Sequence, residues 1–375
     1  MSIRTKPVKA LIFSVSIGSG HDSVAQALAE RLLLEAPGSE VKIVDTFQYI
    51  NRVLNKVVFG SYMETIRFTP KVWGYLYDQA EDGERLVDLG QILSKLLSPK
   101  LEQLLTEVNP DVVLATHAFP TGILAVGKKR GQVKVPLVTA VTDFHVHSFW
   151  IHESVDRYFI PADDLGFRLR QTGIREERIK AVGIPIRSQF MEAPDAVCAK
   201  EELGLNASPA ILVMGGGLGL GRIELITREL LNDGTFQVIV IAGKNKRLYG
   251  NLQGLNNPRL KVYSYVDNIA HVMAAADIII SKPGGVSSAE ILALGKPLVI
   301  YSSLPGQEDR NADYLLNKGV AVKVRKMELL LPELMSLWNN SLRIKHMKEM
   351  AGQIGSPSSS KLVWDDIFAL IGNKE

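Results

Sequence analysis

An α/β protein made of two doubly wound parallel sheets is the fold class the sequence predicts, and three observations carry it. Short apolar runs rich in Val, Ile and Leu recur along the chain and alternate with stretches of helical apolar spacing, as buried parallel strands and their crossover helices do. The same opening of apolar run, glycine turn and helical pattern occurs near the start and again from Ala210. The 375 residues suffice for two domains of ordinary size.

Taken in order, Ala10-Leu11-Ile12-Phe13-Ser14-Val15 reads as a buried strand, Gly18 to Gly20 as a tight turn and Val24 to Leu34 as an amphipathic helix. Val41 to Val44 is the next strand. Asn51 to Tyr77 differs in character, with Phe59, Tyr62, Phe68, Trp73, Tyr75 and Tyr77 set among Arg52, Lys56, Arg67 and Lys71. Val112 to Leu114, Leu137 to Val141 and Tyr158 to Ile160 supply further strands. Val182 to Ile186 is a short extended piece before the chain crosses into its second half. There the strands expected are Ile211 to Met214, Val238 to Ile241, Lys261 to Tyr263, Asp277 to Ile280 and Leu298 to Tyr301. Gly355-Ser356-Pro357-Ser358-Ser359-Ser360 then breaks the chain before a last helix, Lys361 to Leu370.

Composition narrows the class. Hydrophobic residues make up 46% and charged residues 22%, the balance of a globular rather than a disordered protein. A net charge of +3 is too small to point by itself to nucleic acid or to a membrane. Cys198 is the only cysteine, so no intrachain disulfide forms and a reducing cytoplasm is the expected compartment. The apolar run from Val8 is broken by Lys9 and Ser14, which does not fit a signal peptide. No apolar run reaches the length of about 20 residues that spans a bilayer, so membrane contact is expected to be peripheral.

The residues that could carry chemistry cluster at strand ends. Between the Asp277 to Ile280 strand and the following helix stand Gly284 and Gly285, with Val286 and Ser287 opening the helix; free backbone N–H groups there suit a phosphate. Glu290 falls about one turn into that helix, within reach of vicinal ribose hydroxyls. Gln307 and Glu308, after the Leu298 strand, suit a polyhydroxylated ring. The turn Gly215 to Gly221, including Gly216, Gly217 and Gly219, lets backbone amides approach a pyrophosphate, and its flanks do not meet the dinucleotide fingerprint of a nicotinamide enzyme. Lys244, with Arg222 and Lys282, could offset negative charge. His21 at a helix start would be held neutral by the positive dipole end, the form a general base requires, and Asp143 could orient it or act itself. His145, His147 and His152 match no zinc spacing and there is no Asp-x-Asp, so no metal is expected.

Gly18-Ser19-Gly20-His21, Thr142-Asp143-Phe144 with Trp150, Gly215 to Gly221 and Ser281 to Ala312 stand in an order that resembles GT-B glycosyltransferases. The nearer family is that of processive diacylglycerol glucosyltransferases and monogalactosyldiacylglycerol synthases. The resemblance implies two Rossmann-like domains facing across a cleft, with 1–188 binding the acceptor, 189–355 binding a UDP-sugar, and 356–375 packing back on the first domain. It implies inverting transfer of a hexose to the hydroxyl of diacylglycerol or its monoglycosylated product, with UDP-sugar as donor substrate and no cofactor. His21 would stand beside the acceptor hydroxyl, Gly18, Ser19, Gly20 and Trp150 would belong to the acceptor side, and Val266 would meet the uracil. The aromatic and basic segment Asn51 to Tyr77 could fill the first domain's core or meet an anionic membrane surface on the inner face of the cell membrane, with no nucleic acid partner expected. A polyprenyl-pyrophosphate sugar transferase, a UDP-sugar epimerase or a non-catalytic UDP-sugar-binding regulator are the alternatives.

Overall fold

The computed structural model describes residues 6–16, 20–50 and 100–372. Gly18, Ser19 and the segment Asn51 to Tyr77 lie outside the described residues.

The first half forms β1 (Lys9–Ser14), β2 (Glu40–Asp45), β3 (Val112–Ala115), β4 (Leu137–Ala140), β5 (Arg157–Ile160) and β6 (Ile179–Ala181). The second forms β7 (Ala210–Met214), β8 (Gln237–Ile241), β9 (Leu260–Tyr263), β10 (Ile278–Ser281), β11 (Leu298–Ile300) and β12 (Ala321–Lys323). They build two six-stranded sheets ordered β2-β1-β3-β4-β5-β6 and β12-β11-β10-β7-β8-β9. Pairing is parallel throughout, with Ala10 between Val41 and Val112 in one sheet and Ile279 between Leu212 and Leu298 in the other. The strand order reverses beside β1 and beside β7, and ligands of open parallel sheets bind outside the carboxyl ends at such switch points.

The helices that bear on the site are α1 (Gly20–Glu35), α2 (Ala118–Lys129), α3 (Ile223–Asp233), α4 (Gly285–Ala293), α5 (Gln307–Asn317) and α6 (Ser359–Gly372). Strand interiors such as Ala10, Leu11 and Ile12 are fully buried, because helices cover both sheet faces and leave no side for water. One apolar cluster runs through both halves, joining Val24 and Leu28 of α1 to Val286 and Ala289 of α4 and to Trp364 of α6.

Two details depart from the expected strands. The edge strand β6 lies at Ile179–Ala181, ahead of the extended piece expected at Val182 to Ile186. Gly183 takes a φ of +89°, and a Cβ there would press on Ser356, so the chain turns out of the sheet at this point. β12 has only three residues, too short for its period to be read from the sequence.

The chain passes between the halves twice, side by side. Ser356 Oγ donates to the Val182 carbonyl at 2.7 Å, Ser360 Oγ donates to the Ile186 carbonyl at 2.6 Å, and Ser359 Oγ accepts from the Ile186 amide at 3.3 Å. Beyond this junction α6 lies along α1, where the buried Trp364 donates Nε1–H to the Leu28 carbonyl at 2.7 Å. Arg157 pairs with Asp366 at 3.0 Å on the same face.

Candidate active site

Three neighbouring strands of the first sheet, β1, β3 and β4, deliver His21, Thr116 and Thr142 to one point at their carboxyl ends. His21 is the second residue of α1, and its neighbour Asp22 ties the helix start to the end of β1, its carboxylate accepting from Ser14 Oγ at 2.6 Å and Ser16 Oγ at 2.8 Å. The His21 Nδ1 atom lies 3.0 Å from the Thr116 carbonyl oxygen and 2.9 Å from Thr142 Oγ1. A carbonyl can only accept, so the hydrogen-bond network assigns the proton to Nδ1 and leaves the Nε2 lone pair available. Burial holds the His21 pKa below the usual imidazole value, against the opposing pull of Asp143, the Thr116 carbonyl and Asp22. The ring is therefore neutral at pH 7, in the tautomer a base needs.

His117 was not anticipated from the sequence. It caps α2 by accepting from the Phe119 amide at Nδ1, 3.0 Å away, and its ring meets His21 edge to face with centroids 4.5 Å apart. Burial, with His21 nearby, holds its pKa well below the usual value, so it packs as a second neutral imidazole. Trp150 is 4% exposed and is buried in a second apolar cluster, within the first half, with Phe13, Leu124 and Val146, its ring 6.4 Å from His117, so it packs behind the site rather than lining a surface. His147 caps a short helical turn by accepting from the Phe149 amide, and His152 Nε2 bonds to the Phe149 carbonyl. Among the described residues no group of three or more His, Cys, Asp or Glu could hold a metal ion.

Asp143 was expected to orient His21 or to act itself. Its carboxylate instead accepts hydrogen bonds from the other half of the molecule, from Gln307 Nε2 and from Asn311 Nδ2 at 3.0 Å. Thr142 and Thr116 hold the imidazole, because they sit at the strand ends directly opposite Nδ1. Burial raises the Asp143 pKa, with His21 and the Asn311 and Gln307 bonds opposing the shift.

In the second half, α4 begins where expected. Gly284 is its N-cap, and Gly285 packs so tightly on the first half that a Cβ would overlap the Thr142 carbonyl oxygen. Val286 touches Gly20, 3.4 Å from where a Cβ would stand, so the start of α1 and the start of α4 meet face to face. Ser287 is half-buried beside them. Glu290 is 6% exposed; burial pushes its pKa up to about 7 while the Arg187 charge draws it down. Arg187 belongs to the connecting segment, its Nε is buried without a hydrogen-bond partner, and the sequence reading did not single it out.

The glycine turn after β7 is shaped by its neighbours. Gly216 and Gly219 take φ of +70° and +59°, and Gly219 lies against the Ala242 carbonyl, so only glycine fits there. The Lys244 amide donates to the Gly217 carbonyl at 2.9 Å, which joins this turn to the one after β8, with the Lys244 side chain exposed at its edge. Val266 is half-buried against the core on a loop braced by Gln189, which donates to the Asp267 carbonyl at 3.0 Å and accepts from the Ala270 amide at 3.1 Å.

Gln307 and Glu308 open α5, and both were expected to face a sugar as free groups. Gln307 is engaged by Asp143, and Glu308 has both oxygens occupied, by Lys282 Nζ at 2.6 Å and the Leu304 amide at 2.7 Å. The reason is local: Gly306 at φ +90° turns the chain into the helix, and the Glu308 side chain folds back over the free amides of that turn.

Comparison with known proteins places the chain in a family. Residues 21–186 match the family model for monogalactosyldiacylglycerol (MGDG) synthase, and residues 210–363 match the glycosyltransferase family 28 C-terminal domain. A processive diacylglycerol beta-glucosyltransferase of Bacillus cereus (strain AH820) is 30% identical over 371 residues, covering 97% of this chain and 94% of that one. Its counterpart in Bacillus subtilis (strain 168) is 28% identical over 368 residues, covering 96% and 94%. Among solved structures, the calicheamicin glycosyltransferase CalG4 aligns with a TM-score of 0.68 at 14% identity over 98% of this chain and 99% of that one. A UDP-GlcNAc 2-epimerase from Neisseria meningitidis bound to UDP-GlcNAc aligns at 0.59 and 14% over 97% and 100%. At those identities the structural likenesses establish the fold, the facing pair of Rossmann-like domains called GT-B. With two family models in series and a full-length relative at 30% identity, the chain belongs to the glycosyltransferase family of the processive diacylglycerol beta-glucosyltransferases.

Proposed function

We infer that this chain is an inverting hexosyltransferase that moves a sugar from UDP to the hydroxyl of a diacylglycerol-type lipid at a membrane surface. The observation that carries the reading is the meeting of a neutral His21, its Nε2 lone pair free, with the start of α4 across the interface between the halves. Nε2 takes the proton of the acceptor hydroxyl as its oxygen attacks the anomeric carbon. The bond from that carbon to the UDP oxygen breaks, and the charge left on the diphosphate falls to the α4 start and the glycine turn after β7. A single displacement of this kind inverts the anomeric centre.

Glu290, with Arg187 beside it, is the reading's ribose contact, and Val266 its uracil contact. Gln307 exchanges Asp143 for a sugar hydroxyl when the donor binds. Glu308 supports this from behind by fixing the Leu304 turn, and Lys244 meets the diphosphate. An apolar acceptor is supported by the stacked rings of Phe47 and Phe119, 4.6 Å apart, two residues beyond His117. Among the described residues no helix is long and apolar enough to cross a membrane, so the reading has the protein meet lipid from one side.

The test is UDP release from UDP-glucose, UDP-galactose and UDP-GlcNAc, each with and without diacylglycerol vesicles. Lipid-stimulated release with at least one donor is the expected result. Absence of stimulation with all three would sink the reading, and interconversion of UDP-sugars without lipid would favour an epimerase.

A further inference from the structure

Asn311 sits in the third residue pair of α5, fully buried, and both polar atoms of its side chain are used. Its Oδ1 accepts from the Phe144 amide at 2.8 Å; its Nδ2 donates to Asp143 Oδ1 at 3.0 Å and to the Pro283 carbonyl at 3.1 Å. Two of these partners belong to the first half and one to the second.

The partners are not arbitrary pieces of backbone. Asp143 and Phe144 follow Thr142, whose hydroxyl holds His21 Nδ1, and Pro283 immediately precedes the Gly284-Gly285 start of α4. One amide side chain thus spans the gap between the turn that aims the base and the turn that opens toward the donor. Gly285 against the Thr142 carbonyl fixes how closely these turns approach. That contact is steric and does not set their register along the cleft; three directed hydrogen bonds from a rigid helix do. A second strap lies one helical turn further on, where Tyr314 stacks on Phe144 at 5.3 Å and its hydroxyl donates to Asp164 at 3.2 Å. It grips the same short segment from the outside, so the segment has little freedom once Asn311 is in place.

We propose that Asn311 is a positioning residue that sets the register between His21 and the start of α4, and so makes the closed cleft competent for transfer. This rests on the reading of His21 as the base. Asn311 touches neither substrate in this account; it acts through Thr142 to Phe144 on one side and Pro283 on the other. Truncating it leaves the Asp143 and Phe144 groups and the Pro283 carbonyl to find other partners, and the two turns slide.

The experiment compares Asn311→Ala with the wild-type chain by three measurements at matched folded fraction: turnover with diacylglycerol vesicles, UDP affinity by calorimetry, and the small-angle scattering radius of gyration. The expected result is a kcat lower by about 100-fold, the loss a displacement of about 1 Å can cause, with UDP affinity unchanged and a larger radius. A merely structural asparagine would lower the melting temperature and leave turnover per folded molecule as it was, which overturns the proposal. Loss of UDP affinity in step with turnover would also overturn it, because Asn311 would then belong to the donor site. If Asn311→Ala does not fold, Asn311→Ser, which keeps a small hydrogen-bonding group, takes its place under the same outcomes. His21→Ala run alongside separates the two readings. A fully active His21→Ala sinks the base assignment and this proposal with it, whereas an inactive His21→Ala beside a fully active Asn311→Ala sinks this proposal alone.

Discussion

Gly285 lies flat against the Thr142 carbonyl, with no room for a side chain between the two halves of the molecule. Its neighbour Gly284 has open space around it and a φ of −68° that any residue adopts. Gly285→Ala should therefore cost about 1–3 kcal/mol of overpacking, or relieve it by parting the halves, and reduce turnover. Gly284→Ala should leave the melting temperature unchanged. Thermal melts and scattering on the pair check this, and equal effects at both positions would contradict the contact.

His21→Ala should lower kcat by about 10²- to 10⁴-fold while leaving UDP affinity intact, the usual worth of a positioned general base. Because burial lowers the His21 pKa, the acid limb of the kcat profile at saturating donor should lie below the ordinary imidazole value of 6.5. A limb centred above that value would place the titrating base elsewhere.

Glu290 carries a pKa raised to about 7 from an ordinary 4.5. A carboxyl whose folded pKa is raised binds its proton more tightly folded than unfolded, so its contribution is favourable at low pH and is lost as pH rises from 4.5 through about 7. Wild-type stability should fall across that window by at most roughly 3 kcal/mol relative to Glu290→Gln. Ribose hydroxyls that donate to the carboxylate favour its ionised form, so UDP binding near pH 6.5 should release protons. Calorimetry in buffers of different ionisation enthalpy reads that release, which should vanish in Glu290→Gln.

Glu308→Gln should act on stability rather than on donor affinity. It leaves the Lys282 ammonium, 14% exposed, without its carboxylate and weakens the bond to the Leu304 amide. The expected cost is about 1–3 kcal/mol in a denaturant melt. A change confined to the donor KM would mean that Glu308 faces the sugar after all.

Much of this architecture was legible because parallel strands buried on both faces declare themselves as apolar runs. Ala10 to Val15, Ile211 to Met214 and Ile278 to Ile280 are such runs, and the last two end where a glycine-containing turn hands over to a helix. The position of His21 at the start of α1 and of Gly285 at the start of α4 followed from the same pattern. What the pattern does not carry is who faces whom. Thr116 and His117 stand 95 and 96 residues from His21 in sequence, and the β1–β3 pairing brings them together. Asp143 reads as a partner for the nearest histidine, yet the closure of the halves brings Asn311 and Gln307 to its carboxylate first. Glu308 reads as a free acceptor because its residue type does not show that the turn at Gly306 brings its carboxylate back onto the Leu304 amide, or that Lys282, 26 residues away, takes its other oxygen.

The two neighbouring passages of the chain between the halves, stitched by Ser356, Ser359 and Ser360 to Val182 and Ile186, have a mechanical consequence. A single flexible strand would let one half swivel and drift sideways; a pair of strands fastened together behaves like a door on two pins. The halves can swing about that line, but translation along it would tear the serine stitches.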